Sequence, residues 1–208
     1  MGTTLYSLSN DILKLIKEHK NTYAGVDEAG RGCIAGPVVA AAVILSKKTN
    51  IQLLSDSKAL PHDKRLVAYN HIRSTARAYA ISIVSHKVID KVNILNATME
   101  AMKRAIEKLS ITPTLILIDG NKAPQSRVGI CKAVVKGDML VPAISAASIL
   151  AKVFRDKIML RYDRYLKNFG FSAHKGYGTK QHYNYLFQHG ISPIHRRSFN
   201  LSKQLSLF

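Results

Sequence analysis

The sequence predicts an α/β fold, a sheet with helices on its faces, and three observations carry the prediction. Short apolar runs of strand length alternate with segments of helical period along most of the chain. Residues 115–118 are wholly apolar and end at Asp119, the pattern of a strand buried on both faces. After Asp90, the residues Val92, Leu95, Met99, Met102, Ile106 and Leu109 recur at three- and four-residue spacing, the stripe of an amphipathic helix.

The elements follow in order. Residues 9–19 predict a short helix capped by Ser9, with Ile12, Leu13 and Ile16 on one side. Residues 22–27 form a compact strand, followed by a turn carrying Gly30, Gly32, Gly36 and Pro37. Residues 38–45 are a second strand, and 55–60 a polar loop. Pro61 suits the start of a helix reaching about Thr75, since its missing N–H costs nothing there. Residues 79–85 read as a third strand, and Asp90 as the cap of the helix already described. After the strand at 115–118, residues 131–135 suggest another, 143–166 a long helix, 170–181 a glycine-containing loop and 181–189 a short helix. From Ser192 there is little periodicity, so 1–190 is read as the domain and 191–208 as a basic tail.

Composition narrows the function. A chain of 208 residues can bury one sizeable core. No apolar run is long enough to span a bilayer, and the N-terminus lacks the arrangement of a secretory signal, so a cytoplasmic monomer is expected. Cys33 and Cys131 lie far apart without a C-x-x-C, which suits a reduced pair. Thirty-one Lys and Arg against 13 Asp and Glu leave +18, a surplus that favours polyanionic partners. From Lys152 to Lys203, 11 Lys and Arg face only Asp156 and Asp163, so a quarter of the chain holds a net +9, half the total. A binder of anionic membranes needs a helix with one strongly apolar and one basic face, and none stands out. Nucleic acid is the favoured partner.

Acids are few, so their positions inform. Asp27 and Glu28 close the first strand, Asp119 closes the strand at 115–118, and Asp138 follows a third apolar segment. Carboxylates at neighbouring strand ends converge on one edge of a sheet, where they repel one another and resist ionising. A divalent cation relieves that conflict, and an all-oxygen set suits Mg²⁺ or Mn²⁺ rather than Zn²⁺. Two such ions about 4 Å apart can support in-line displacement at a phosphodiester. Any single acid could equally be a cap or turn residue, the reading given to Asp56, Asp63 and Asp90.

Six motifs in order strengthen the case. The segment 23–38, Tyr-Ala-Gly-Val-Asp-Glu-Ala-Gly-Arg-Gly-Cys-Ile-Ala-Gly-Pro-Val, is followed by Asp-Ser-Lys-Ala-Leu at 56–60 and Ile-Asp-Gly-Asn-Lys at 118–122. Lys-Gly-Asp at 136–138, Ser-Ala-Ala-Ser-Ile-Leu-Ala-Lys-Val at 145–153 and His-Lys-Gly-Tyr-Gly-Thr at 174–179 complete the set. Together they resemble the ribonuclease HII family over about 22–199, with Cys33 standing where that family usually has proline. The resemblance implies a ribonuclease H-like mixed sheet flanked by helices, with a small helical C-terminal portion. It implies that Asp27, Glu28, Asp119 and Asp138 bind Mg²⁺ or Mn²⁺, two ions with substrate bound. The activity implied is hydrolysis of the RNA strand of RNA–DNA hybrids. Ribonucleotide-containing DNA duplex would be cut on the 5′ side of the ribonucleotide, leaving 3′-hydroxyl and 5′-phosphate ends. The cellular role implied is ribonucleotide removal and RNA primer processing.

It also implies that Gly30, Arg31 and Gly32 touch the ribose 2′-hydroxyl, the group that separates RNA from DNA. Tyr177 would stack near the sugar, and Lys58 would meet a phosphate. Ser145, Ser148, Lys152 and Arg155 share one helix face by spacing, a polar stripe suited to phosphates or simply to solvent. The histidines, eight in all, are assigned no metal. The terminus Gln204-Leu205-Ser206-Leu207-Phe208 resembles the peptide by which bacterial replication proteins bind the sliding clamp; Gln204, Leu205, Leu207 and Phe208 would make that contact, or the apolar end would fold back on its own domain. The alternatives are another nuclease of the same fold, a non-catalytic nucleic-acid-binding protein, and a clamp-tethered accessory protein.

Overall fold

The computed structural model describes residues 8–20, 22–54 and 60–201. Helix α1 (Asn10–Glu18) starts at Ser9, whose side chain accepts from the Ile12 amide. Strands β1 (Tyr23–Ala29) and β2 (Val38–Ile44) follow, then helix α2 (His62–Thr75) behind Pro61. Strand β3 (Ala78–Val84), helix α3 (His86–Glu107), strands β4 (Leu115–Asp119) and β5 (Ile130–Val134) and the one-turn helix α4 (Gly137–Leu140) come next. The long helix α5 (Pro142–Tyr165) and the shorter α6 (Phe171–His174) and α7 (Lys180–His189) complete the order.

The sheet runs β3-β2-β1-β4-β5 and is mixed. β1 pairs antiparallel with β2 and β2 with β3, whereas β1/β4 and β4/β5 are parallel. Both faces are covered, which is why β2 is apolar throughout. Val39, Ala41 and Val43 pack with α2 and α5, while Val38, Ala40 and Ala42 pack against α3. Alternation on β4 sends Ile116 and Ile118 to the α3 side and Leu115 and Leu117 to the other. Each such fully buried side chain contributes about 1.5–3 kcal/mol.

Three expectations are corrected. The helix expected at Asp90 begins at His86 under a Ser85 cap. It is interrupted at Asn93, at φ 65°, whose side chain accepts from the Asn96 amide and restarts it, so Val92 is 40% exposed and off the buried face. Asp90 instead accepts from the amides of Arg197 and Ser198 and from the Ser198 hydroxyl. These contacts fasten the C-terminal segment, so the stretch from Ser192 is no free tail at its start. Ser192, Ile194, His195 and Arg196 are buried, and His195 bridges Ala35. The small helical C-terminal portion closes over Ala35, Met159, Phe171 and Ile194, against the turn that joins β1 to β2.

Candidate active site

The register explains how the acids meet. In the parallel β1/β4 pair Val26 lies opposite Ile118, so Asp27 and Asp119 are level at the same edge. Asp119 in turn lies opposite Val134, after which Lys136, in a left-handed conformation, turns the chain into α4 and delivers Asp138. Alternation then puts Asp27, like Gly25 and Ala29, on the α5 side, and Asp119 with Leu115 and Leu117. Carboxylate oxygens of Asp27, Asp119 and Asp138 all lie within 4.8 Å of one another. Gly25 permits the arrangement: a Cβ there would stand 2.1 Å from the Ala143 carbonyl carbon. Only glycine lets α5 lie this close to β1, bringing Ser148 into hydrogen bonding with Asp27.

Burial pushes the Asp27 carboxyl well above the usual range, and repulsion from Glu28 and Asp119 adds to it. The Ser148 side chain and the Glu28 amide, which donates to Asp27 Oδ1 at 2.7 Å, act in the opposite sense. Asp119 Oδ1 accepts from the Asp138 amide at 3.2 Å. Crowded, largely buried oxygens that resist sharing negative charge fit a hard divalent cation. Glu28 is not among the three convergent groups, although its charge acts on the Asp27 carboxyl. Its side chain lines the adjoining cleft, with Oε1 3.9 Å from Arg31 Nη1.

That cleft, about 330 Å³, gathers Glu28 and Gly30 from the end of β1, Ser148 and Lys152 from α5, and Tyr177 from the loop before α7. Arg65 of α2 also lines it, a residue that no sequence motif singled out. Lys152 is 2.8 Å from Asp156 and lies over the Tyr177 ring at 5.1 Å. Tyr177 itself is 39% exposed and bridges Cys33, so one face of the glycine turn is tied to the Tyr177 loop. Both cysteines are free.

The Ribonuclease HII family model matches residues 24–202, nearly all of this architecture. The chain belongs to the ribonuclease HII family. It is 51% identical over 185 residues to ribonuclease HII of Coxiella burnetii, covering 89% of this chain and 91% of that protein. Among solved structures it is similar to ribonuclease H2 from Pyrococcus horikoshii, with a TM-score of 0.71 at 27% identity over 89% of this chain and 97% of that one. It is also similar to ribonuclease HII of Archaeoglobus fulgidus, solved in complex with PCNA (TM-score 0.72, 27% identity, 90% and 100% covered). The chain is therefore a ribonuclease H, a nuclease that hydrolyses phosphodiesters.

The polar stripe expected on α5 of this ribonuclease HII chain divides. Ser145 is buried and donates to the Leu54 carbonyl, and Arg155 is fully buried. Arg155 gives Nε to Pro37 O, Nη1 to Lys175 O and Nη2 to Ala35 O, at 2.9–3.1 Å. Phosphate contact by Arg155 is thereby overturned: its donors hold backbone, and Ser148 and Lys152 are the stripe residues left at the cleft. Arg196 does the same from the other side, giving Nε to Gly36 O, Nη1 to Arg31 O and Nη2 to Gly30 O. Gly30, at φ +92°, must be glycine twice over, since a Cβ would also stand 2.0 Å from Arg155 Nε. Gly32 has open space around it, and Arg31 is exposed. Lys58, Gln204, Leu205, Leu207 and Phe208 lie outside the described residues.

Sequence reasoning missed a buried histidine cluster beneath Tyr177. The Ser192 amide donates to His195 Nδ1, so His195 carries its proton on Nε2 and donates to His182 Nε2 at 2.9 Å. His182 must then donate from Nδ1 to the Tyr177 carbonyl. His174 stacks on His182 at 3.8 Å and accepts from the Gly176 amide. Every ring is held neutral, and burial pushes His182 down to about 3 and His195 to about 4. With folded values below the ordinary 6.5, this stabilisation is complete above about pH 6.5 and is lost as pH falls towards 4 and 3. The slope is about 1.4 kcal/mol per pH unit for each histidine. Thermal melts of the wild type should therefore lose stability between pH 6.5 and 4.5 faster than those of His182→Gln; equal slopes would remove the relay from the account.

Proposed function

We propose that this ribonuclease H recognises the ribose at a DNA–RNA junction and cuts on its 5′ side, in hybrids and at single ribonucleotides embedded in duplex DNA. The products are a 3′-hydroxyl and a 5′-phosphate. The observation that carries the reading is the junction of two parts: three converged carboxylates, and a cleft where the Gly30–Gly32 turn faces Tyr177. Asp27, Asp119 and Asp138, with Glu28 at the cleft wall, would hold Mg²⁺ or Mn²⁺; when bound, two such ions supply charge stabilisation to the attacking and leaving oxygens. The turn presents backbone to the 2′-hydroxyl, Tyr177 seats the sugar, and Ser148 keeps the Asp27 carboxylate oriented. Lys152 offers a cation to the phosphate. The four free-energy contributions act on position and charge rather than on covalent chemistry.

The test is cleavage of a duplex carrying one ribonucleotide beside an all-DNA duplex, with Mg²⁺, with Mn²⁺ and with chelator. Cutting only beside the ribonucleotide, and only with metal, is expected. Comparable cutting of all-DNA duplex points instead to a general nuclease of this fold, and binding without cutting to a non-catalytic role. Tyr177→Ala should lower kcat at the single ribonucleotide by roughly 10–100-fold, because misplacement at the reacting centre is costly. A change in KM alone would reduce Tyr177 to a binding residue.

We propose further that 204–208 binds a sliding clamp. Its apolar residues and glutamine suit an extended peptide filling a pocket, and the related A. fulgidus enzyme was solved in complex with PCNA. Affinity for a bacterial clamp should be weak, with Kd on the order of 1–100 μM. Deleting 204–208 should abolish it and leave cleavage of a short oligonucleotide intact. A large fall in melting temperature on deletion would favour a terminus packed on its own domain. Among the described residues no helix is long and apolar enough to cross a membrane. Action in the cytoplasm on newly replicated duplex suits the two free thiols and the clamp peptide.

A further inference from the structure

A second and larger groove, about 800 Å³, lies between α2, the edge strand β3 and the latter half of α5. Four exposed cations line it, Arg73, Lys157, Arg161 and Arg164, and no carboxylate is among the described lining residues. Relative to Lys152, positions 157, 161 and 164 lie about 120–180° round the helix, at 100° per residue. A duplex held by Lys152 and Tyr177 therefore meets the other side of α5, and the groove is free for a different occupant.

Two features identify that occupant. The first is the main chain. Tyr79, Ala80 and Ile81 are consecutive and all line the groove, although side chains on a strand alternate between faces. The β3 backbone itself is therefore at the surface there. β3 ends the sheet, with β2 on one side and no strand on the other among the described residues. The second is the floor. Phe154, Ile158 and Leu160 give it an apolar base, and Ile83, further along the same face of β3, is 45% exposed. The ring best placed for a nucleobase is already taken: Tyr69 is 4% exposed and covered by Lys157 at 4.5 Å and Arg73 at 5.4 Å. The groove's other rings, Tyr79 and Phe154, are half-buried against the core beneath it, and Tyr79 Oη accepts from Arg73 Nε, so none stands fully exposed for the base stacking on which single-stranded nucleic acid depends.

We propose that the groove binds an acidic, extended segment of a partner protein, added beside β3 as a sixth strand. Main-chain hydrogen bonds to the β3 edge set its direction, alternate apolar side chains rest on Phe154 and Ile158, and its Asp and Glu side chains meet Arg161, Arg164, Lys157 and Arg73. The surface lies outside the cleavage site and does not depend on how that site reads ribose.

The experiment uses the full chain and a fluorescein-labelled peptide of alternating glutamate and valine, followed by anisotropy. Saturable binding that weakens with salt is expected, together with slower amide exchange across Ala78–Val84. Arg161→Glu with Arg164→Glu should weaken binding about tenfold or more while cleavage of a short ribonucleotide-bearing duplex is unchanged. A peptide with proline at alternate positions, which cannot donate to the edge, should bind far less. Equal binding of the proline peptide, or of a lysine–valine peptide, overturns the proposal. So does stronger binding of an oligo-dT strand lost in the same double variant. Absence of peptide binding at low salt assigns the four cations to guarding an exposed edge strand, the other known use of charge at such a place.

Discussion

Asp27→Asn is expected to lower cleavage by at least about a thousandfold with Mg²⁺ present, while raising the melting temperature of the metal-free protein. Both effects have one origin. Asp27 is 3% exposed and crowded by Glu28 and Asp119, and burial with repulsion holds its carboxyl well above the ordinary range. A group whose folded pKa is raised stabilises the fold when protonated, and that benefit is lost as pH rises through the folded value. At any pH above that value the metal-free fold carries a strained charge, which asparagine removes at nearly constant shape. With metal and substrate present the same charge is needed, so losing it costs transition-state stabilisation. Asp119→Asn should behave alike in activity. The stabilisation by Asp27→Asn should shrink in acid, where the wild-type carboxyl is already neutral. Near-normal cleavage by either variant would dismiss the carboxylate cluster as the reaction centre. An unchanged or lowered melting temperature across the pH range would dismiss the repulsion.

How much of this could be read from the chain depends on how far each contact reaches. Asp119 was legible because β4 is a buried strand that stops at an acid, and Asp27 because an acid pair follows a compact apolar run, although β1 continues past it to Ala29. That their strands are parallel neighbours, level at Val26 and Ile118, follows only from tertiary pairing. Glu28 was grouped with Asp27 by adjacency, and its charge does reach the Asp27 carboxyl. Arg155 shared a helix face with Ser148 and Lys152, and that spacing was right. What lies against a helix face is not local: its partners at Ala35 and Pro37 are 120 and 118 residues away. Asp90 looked like a helix cap because an apolar stripe follows it, whereas its acceptors serve Arg197 and Ser198. The stretch from Ser192 had no period because it is neither helix nor strand as far as Leu201, yet Ser192, Ile194, His195 and Arg196 are buried. Periodicity reports regular elements, and irregular segments that fill a gap between them leave no such trace.

The second large effect concerns that stretch. Arg196→Ala is expected to cost on the order of 3 kcal/mol or more, because it strands the carbonyls of Gly30, Arg31 and Gly36 in a buried site. For a chain of this length that is a fall in melting temperature of about 6–12 °C. Burial lowers the guanidinium to about 10, still charged at neutral pH, so the wild-type contacts are charge-assisted. The Gly30–Gly32 turn hangs between Arg196 and Arg155, and removing one clamp frees the backbone proposed to meet the ribose. Cleavage at a single ribonucleotide, assayed well below the melting temperature, should then fall about 10–100-fold, while affinity for plain DNA duplex changes little. Arg196→Lys is the discriminating control. It keeps the charge but offers one compact donor in place of a planar fork that reaches three carbonyls, so it should recover part of the stability and little of the ribose selectivity. If both variants lose stability yet cut the ribonucleotide substrate at the wild-type rate, Arg196 only holds the C-terminal portion down. If selectivity falls in step with the freedom of the turn, the buried arginine acts on the reaction through glycine backbone that it never lets move.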